Sequence, residues 1–139
     1  MRIIAAIDAS DESDNKHLAK AIELARLQGA ALTILSVAED FHDSEAMEIG
    51  GARGDQRLLA RAEARVRQAK ATAAEQGVSA EVIVERSASP AESILKVAEE
   101  KRADLLVVGR RSKTGLRFLL GGNVSKVVEH APCSVLVVK

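Results

Sequence analysis

Between residues 105 and 128 the chain carries no Asp or Glu, while Arg110, Arg111, Lys113, Arg117 and Lys126 are all basic. The same stretch holds Gly109, Gly115, Gly121 and Gly122, and the last pair opens a run in which Val124, Val127, Val128 and Ala131 recur at helical spacing. The first N–H groups of a helix have no intrahelical acceptor and sit at the positive end of its dipole, so a phosphate is favoured there. Glycine lets backbone amides come close to oxygens and adopts angles that a side chain forbids. A strand, a basic glycine-bearing loop and a helix N-terminus in succession therefore spell an anion site. The competing reading is a long loop whose glycines only turn the chain and whose arginines are solvated.

Other groups with chemical potential carry less. Asp8 ends the first apolar run, where a carboxylate either closes a turn or caps a helix, or else faces a ligand. Residues 39–54 are acidic and end in Gly50, Gly51 and Gly54, which reads as a flexible connection able to act as a lid. Asp40, His42, Asp43 and Glu45 in that stretch are metal-ligand types, but no spacing fixes them on a rigid element, so no metal site is expected. Cys133 reads as a half-buried packing residue before the last strand, without catalytic partners. His17 and His42 are scattered, and His130 lies where it can interact with a helix C-terminus.

The elements that must position these groups show in the periodicity. Ile3, Ile4 and Ile7 mark a strand, and Leu18, Ala21, Ile22 and Ala25 a helix opening near Asp11 or Ser13 and stopping at Gly29. Residues 32–37 read as a buried strand; Leu59, Ala62, Val66, Ala69 and Ala73 line a helix ended by Gly77. Residues 82–84 form a third strand. Ser89, Pro90 and Glu92 predict a helix start with a capping box, and Ile94, Leu95 and Ala98 its buried face. Residues 105–108 and 135–138 are the last strands. Five strands alternating with four helices predict one α/β domain over residues 1–139, a parallel sheet covered on both faces. Ligands bind such sheets beyond the C-terminal strand ends, where the winding reverses.

Two stretches go further. Gly109-Arg110-Arg111-Ser112, nine residues, then Gly122-Asn123-Val124-Ser125 closely resembles the G-x2-G-x9-G-[ST] signature of nucleotide-binding universal stress proteins. The opening Ile3-Ile4-Ala5-Ala6-Ile7-Asp8-Ala9-Ser10 and the ending His130-Ala131-Pro132-Cys133-Ser134-Val135-Leu136-Val137-Val138 are similar to that family's first and last strands. The resemblance implies an open, Rossmann-like sheet of order 3-2-1-4-5 that binds ATP or AMP, with or without magnesium, in a homodimer joined along residues 135–138. By position it places Ala6 and Asp8 by the adenine and ribose, with the Val37 backbone facing the base. Gly109, Arg110, Arg111, Ser112, Lys113, Gly115, Gly122, Asn123, Val124 and Ser125 would then wrap the ribose and phosphates. Ser112 replaces the signature's second glycine and Asn123 its Ser or Thr, so the phosphate grip differs from the family pattern.

Composition narrows the alternatives. Twenty Lys and Arg balance twenty Asp and Glu, so no bulk field draws in nucleic acid or an anionic membrane. Phe41 and Phe118 are the only aromatic residues, too few to stack single-stranded bases. A lone cysteine and an N-terminus that enters a strand directly point to a reducing cytoplasm. An enzyme reading lacks a G-x-x-x-x-G-K-[ST] loop, a G-x-S-x-G elbow and an acidic pair for magnesium. A phosphoacceptor receiver needs an aspartate after the third strand, where Glu85-Arg86-Ser87 stands. An interaction module of the same fold, without nucleotide, stays open beside the binding reading.

Overall fold

The computed structural model describes residues 1–8, 16–39, 45–109 and 123–139, the side chains of 45–55 and 123 excepted. The elements in chain order are β1 (Arg2–Ile7), α1 (Lys16–Gln28), β2 (Ala31–Glu39), α2 (Glu45–Glu75), β3 (Ala80–Ser87), α3 (Pro90–Glu100), β4 (Leu105–Gly109), α4 (Asn123–His130) and β5 (Ser134–Val138). All neighbouring strands are parallel, in the order β3-β2-β1-β4-β5.

Alternation along each strand sends side chains to two separate cores. Ile3, Ala5, Ile7, Leu32, Ile34 and Val107 pack with Leu18, Ala21 and Ile22 of α1 and Val66 and Ala69 of α2. Ile4, Leu35, Leu106 and Val108 pack on the other face with Ala91, Val97 and Ala98 of α3 and Val127 of α4. Strands buried on both faces explain the unbroken apolar runs in β1 and β4. The helix stops expected at Gly29 and Gly77 are present as left-handed residues, with φ of +62° and +78°.

Three sequence expectations need correction. Residues 45–54 are the start of the 31-residue helix α2, not part of a loop, so Gly50, Gly51 and Gly54 lie inside a helix. Each glycine costs about 1 kcal/mol there, but a helix already anchored at Ala62, Val66 and Ala69 gains one backbone hydrogen bond for every residue by which it extends. The capping box at α3 is only half formed. Ser89 Oγ accepts from the Glu92 N–H at 3.4 Å, but the Ser89 N–H donates to Ser87 Oγ at 3.1 Å and the Glu92 carboxylate turns to Lys126 Nζ at 3.1 Å. A nearer hydroxyl and a cation on the neighbouring helix outcompete the reach back. Finally, Val128 is 51% exposed while Val127 is 1% exposed, because the single stripe that an eight-residue helix buries passes through Val127.

At the end of the sheet opposite the C-terminal strand tips, Arg2 ties the first strand to the turn before β4. Its N–H donates to Asp104 Oδ2 at 2.7 Å, its carbonyl accepts from the Asp104 N–H at 2.8 Å, and its guanidinium donates to the Lys101 carbonyl at 3.0 Å. β1 and β4 are thus held in register from below, which sets the relative height of their C-terminal tips.

Candidate functional site

Strand register brings the sequence-predicted residues of β1, β2 and β4 to one end of the sheet. Ala6 is level with Leu35 on β2 and with Val108 on β4, and Ile7 is level with Ser36. Val37 therefore follows at the height of Asp8, and Gly109 stands one step beyond Val108 on the other flank of β1. β1 has β2 on one side and β4 on the other, so the strand order reverses here, the place where open parallel sheets of this kind bind their ligands. Asp8 is exposed at this point.

The faces separate the residues further. Ala6 and Val37 pack with the α3/α4 core, as does Val124 in the first turn of α4. These three share a face with Val108. Ser125 is exposed one residue further along α4, and Asn123 is the helix's first residue. Lys126 joins α4 to the first turn of α3 through Glu92, and Lys96 of α3 lies 3.7 Å from Glu85 of β3. Both pairs are largely solvated, so they orient the helices more than they stabilise them.

Arg110, Arg111, Ser112, Lys113, Gly115 and Gly122 lie outside the described residues, as do Asp40, His42, Asp43 and the expected caps at Asp11 and Ser13. Glu45 is the first residue of α2. Among the described residues no group of three His, Cys, Asp or Glu is arranged to hold a metal ion, and no helix is long and apolar enough to cross a membrane.

Two residues near the site escape a pattern-based reading. His17 is buried, 8% exposed, in the first turn of α1, and its ring lies against Gly109. Helical spacing was the signal that could have found its burial: four residues before Ala21, it falls on the same stripe as Leu18, Ile22 and Ala25. Ser36, level with Ile7, is 0% exposed, and among the described residues its Oγ has no hydrogen-bond partner. Cys133 is half-buried against the α3/α4 core, and burial, with a smaller contribution from the Asp104 carboxylate, pushes its thiol pKa up.

A five-stranded parallel sheet of this order, covered by helices on both faces, has counterparts among known proteins. A universal stress protein of Bacillus subtilis, YxiE, is 35% identical over 147 residues, covering 99% of this chain and 98% of its own length. Among solved structures, the universal stress protein UspA from Lactobacillus plantarum superposes with a TM-score of 0.84 at 24% identity, covering 100% of this chain and 97% of that one. A universal stress protein family protein from Arabidopsis thaliana, solved with AMP bound, superposes with a TM-score of 0.68 at 20% identity, covering 100% and 91%. The sequence profile of the universal stress protein family matches residues 1–139, so that, with strand order, register and full-length similarity in agreement, the chain belongs to the universal stress protein family.

Proposed function

We propose that this chain binds an adenine nucleotide, ATP or AMP, at the C-terminal tips of β1, β2 and β4 and the N-terminus of α4, and acts as a cytoplasmic stress-response binding protein, not as an enzyme. One observation carries the reading: the register sets Asp8, Val37 and Gly109 at the same end of the sheet, around the point where the strand order reverses. A base fits against the half-buried Ala6 and Val37, a ribose hydroxyl against the exposed Asp8 carboxylate, and phosphates against backbone N–H groups running from Gly109 through Gly115 and Gly122 into Asn123, Val124 and Ser125. Arg110, Arg111 and Lys113, on either side of Ser112 in the sequence, add positive charge. Magnesium, where present, arrives with the nucleotide's own phosphates. The bound nucleotide of the Arabidopsis protein supports the choice of adenine.

The test is thermal unfolding in the presence of nucleotide. A ligand at a hundredfold excess over its Kd stabilises the folded state by about 2.7 kcal/mol, which for a chain of this size raises Tm by several degrees. Millimolar ATP or AMP should produce that shift and millimolar GTP a smaller one. No shift with either adenine nucleotide would overturn the proposal.

The homodimer belongs to the same reading. β5 is the outer strand of the sheet beside β4, and its Val135, Leu136, Val137 and Val138 are all half-buried in the monomer. An apolar edge with a free row of backbone groups is a liability that pairing across a two-fold axis removes. Light scattering at high micromolar concentration should give twice the monomer mass; a monomer would set this part aside and leave the nucleotide site standing.

A further inference from the structure

Gly109 closes β4 and starts the connection to α4. Its φ is not positive, unlike those of Gly29 and Gly77, so the backbone conformation does not demand a glycine here. What does is space. A Cβ at residue 109 would lie 2.8 Å from Nδ1 of His17, 3.1 Å from its Cε1 and 3.3 Å from its Cγ. All three nearest atoms belong to one imidazole ring.

The direction is as informative as the distance. Val107 packs into the α1/α2 core and Val108 into the α3/α4 core, so the missing side chain of residue 109 points to the α1 side. Ala6, Val37 and Val124 lie on the other face. The glycine at 109 therefore makes room for a helix side chain beneath the sheet, and not for a ligand above it. His17 is 8% exposed in the first turn of α1, next in sequence to Leu18 of the α1/α2 core, and a ring buried to this degree leaves its place only by disturbing what covers it.

We propose that His17 is a positioning residue of the nucleotide site: its ring, seated against Gly109, fixes the height and direction of the β4 tip beside the end of β1. This rests on the nucleotide reading above. It makes Gly109 and His17 one unit, in which the glycine is needed only while the imidazole is present.

The experiment is a double-mutant cycle of His17→Ala and Gly109→Ala, with His17→Asn as the conservative variant, read by Tm and by AMP titration well below Tm, where every variant is folded. Gly109→Ala alone should lower Tm by roughly 3–10 °C, since overpacking a tight site displaces its neighbours. In the His17→Ala background the same change should cost less than half as much, the non-additivity expected of residues in contact. His17→Ala alone should weaken AMP binding roughly tenfold, with His17→Asn recovering part of the loss. Affinity at a temperature where the protein is folded would not move if the ring served stability alone.

Equal AMP affinity in wild type and His17→Ala overturns the proposal, and so does a Gly109→Ala penalty that is unchanged when His17 is removed. If Gly109→Ala fails to fold, the double variant decides: folding of the double variant supports the unit, and its failure overturns it. Wild-type protein that binds no AMP refutes the nucleotide reading and this role of His17 with it, whereas binding by wild type and by His17→Ala alike refutes only the latter.

Discussion

Replacing Ser36 by alanine should make this protein more stable. Ser36 is completely buried in β2, between Ile34 and Ala38 on the sheet face covered by α1 and α2, and its hydroxyl has no hydrogen-bond partner among the described residues. An unpartnered buried hydroxyl costs roughly 1–3 kcal/mol relative to its hydrated state. Alanine gives up one heavy atom and its few contacts, each worth about 0.1–0.2 kcal/mol, so the loss is roughly 0.5–1 kcal/mol. The net gain is about 0–2.5 kcal/mol, centred near 1 kcal/mol, or a Tm rise of roughly 4 °C at that centre for a chain of this length. Urea denaturation should show a higher midpoint at unchanged m, the signature of altered stability without altered compactness. A Ser36→Ala protein less stable than wild type by 1 kcal/mol or more would show that the hydroxyl is engaged, and the reasoning would be refuted. Ser36 immediately precedes Val37, so AMP affinity measured on the same variant also shows whether the polar group is retained for the site.

The entry to α3 and the single thiol supply two further tests. Ser87→Ala should destabilise more than Ser89→Ala, because Ser87 Oγ both accepts from the Ser89 N–H at 3.1 Å and donates to the Ser89 carbonyl at 2.9 Å, while the cap from Ser89 Oγ is a long 3.4 Å. Losses of about 1–2 and 0.5–1 kcal/mol, compared by urea denaturation, are expected, and the reverse order would restore the capping box as the dominant feature. Alkylation of Cys133 by iodoacetamide at pH 8 should be several-fold slower in native protein than in urea, since burial raises the thiol pKa and less thiolate is present. With the folded pKa above the unfolded one, the native state holds its proton longer, so stability from this group is full below the unfolded pKa and declines as pH rises towards the folded pKa. Equal alkylation rates in the two states would contradict the burial of Cys133.

Much of this fold was legible because parallel strands buried on both faces and helices buried on one obey different periods. Ile3, Ile4 and Ile7 against Leu18, Ala21, Ile22 and Ala25 show the contrast within the first unit, and Gly29 and Gly77 mark helix ends through a conformation other residues avoid. The start of α2 was not legible, since Gly50, Gly51 and Gly54 oppose a helix locally and its packing against the sheet is established further along, at Ala62 and Val66. Ser87 hid for a similar reason: a capping box is read inside four residues, and the competing hydroxyl stands just outside them.

For the site, Asp8 and Gly109 followed from topology, because each ends a strand at the same end of the sheet, whereas Ala6 and Val37 came from the family resemblance, and register sets them at that same end. His17 did not. A histidine on an apolar stripe signals burial, but what it meets depends on a strand ninety residues away, and only the three-dimensional packing shows Gly109 there. The basic residues Arg110, Arg111 and Lys113 rest on sequence alone, through charge and the resemblance of the glycine spacing.

The central claim is adenine nucleotide binding, and isothermal calorimetry of the wild-type protein with ATP and with AMP tests it most directly. Backbone N–H groups hold most of the phosphate in the proposed site, so the Ser112 and Asn123 departures should leave binding intact but weaker by roughly ten- to a hundredfold than a full signature would give. The expected result is a saturable titration with one site per chain, tightened by the double change Ser112→Gly and Asn123→Ser, and weakened by Gly122→Val, which under the proposed reading would crowd the phosphates. Absence of saturable binding by both the wild type and the double variant at millimolar ATP and AMP would contradict the account and leave the interaction-module reading in its place.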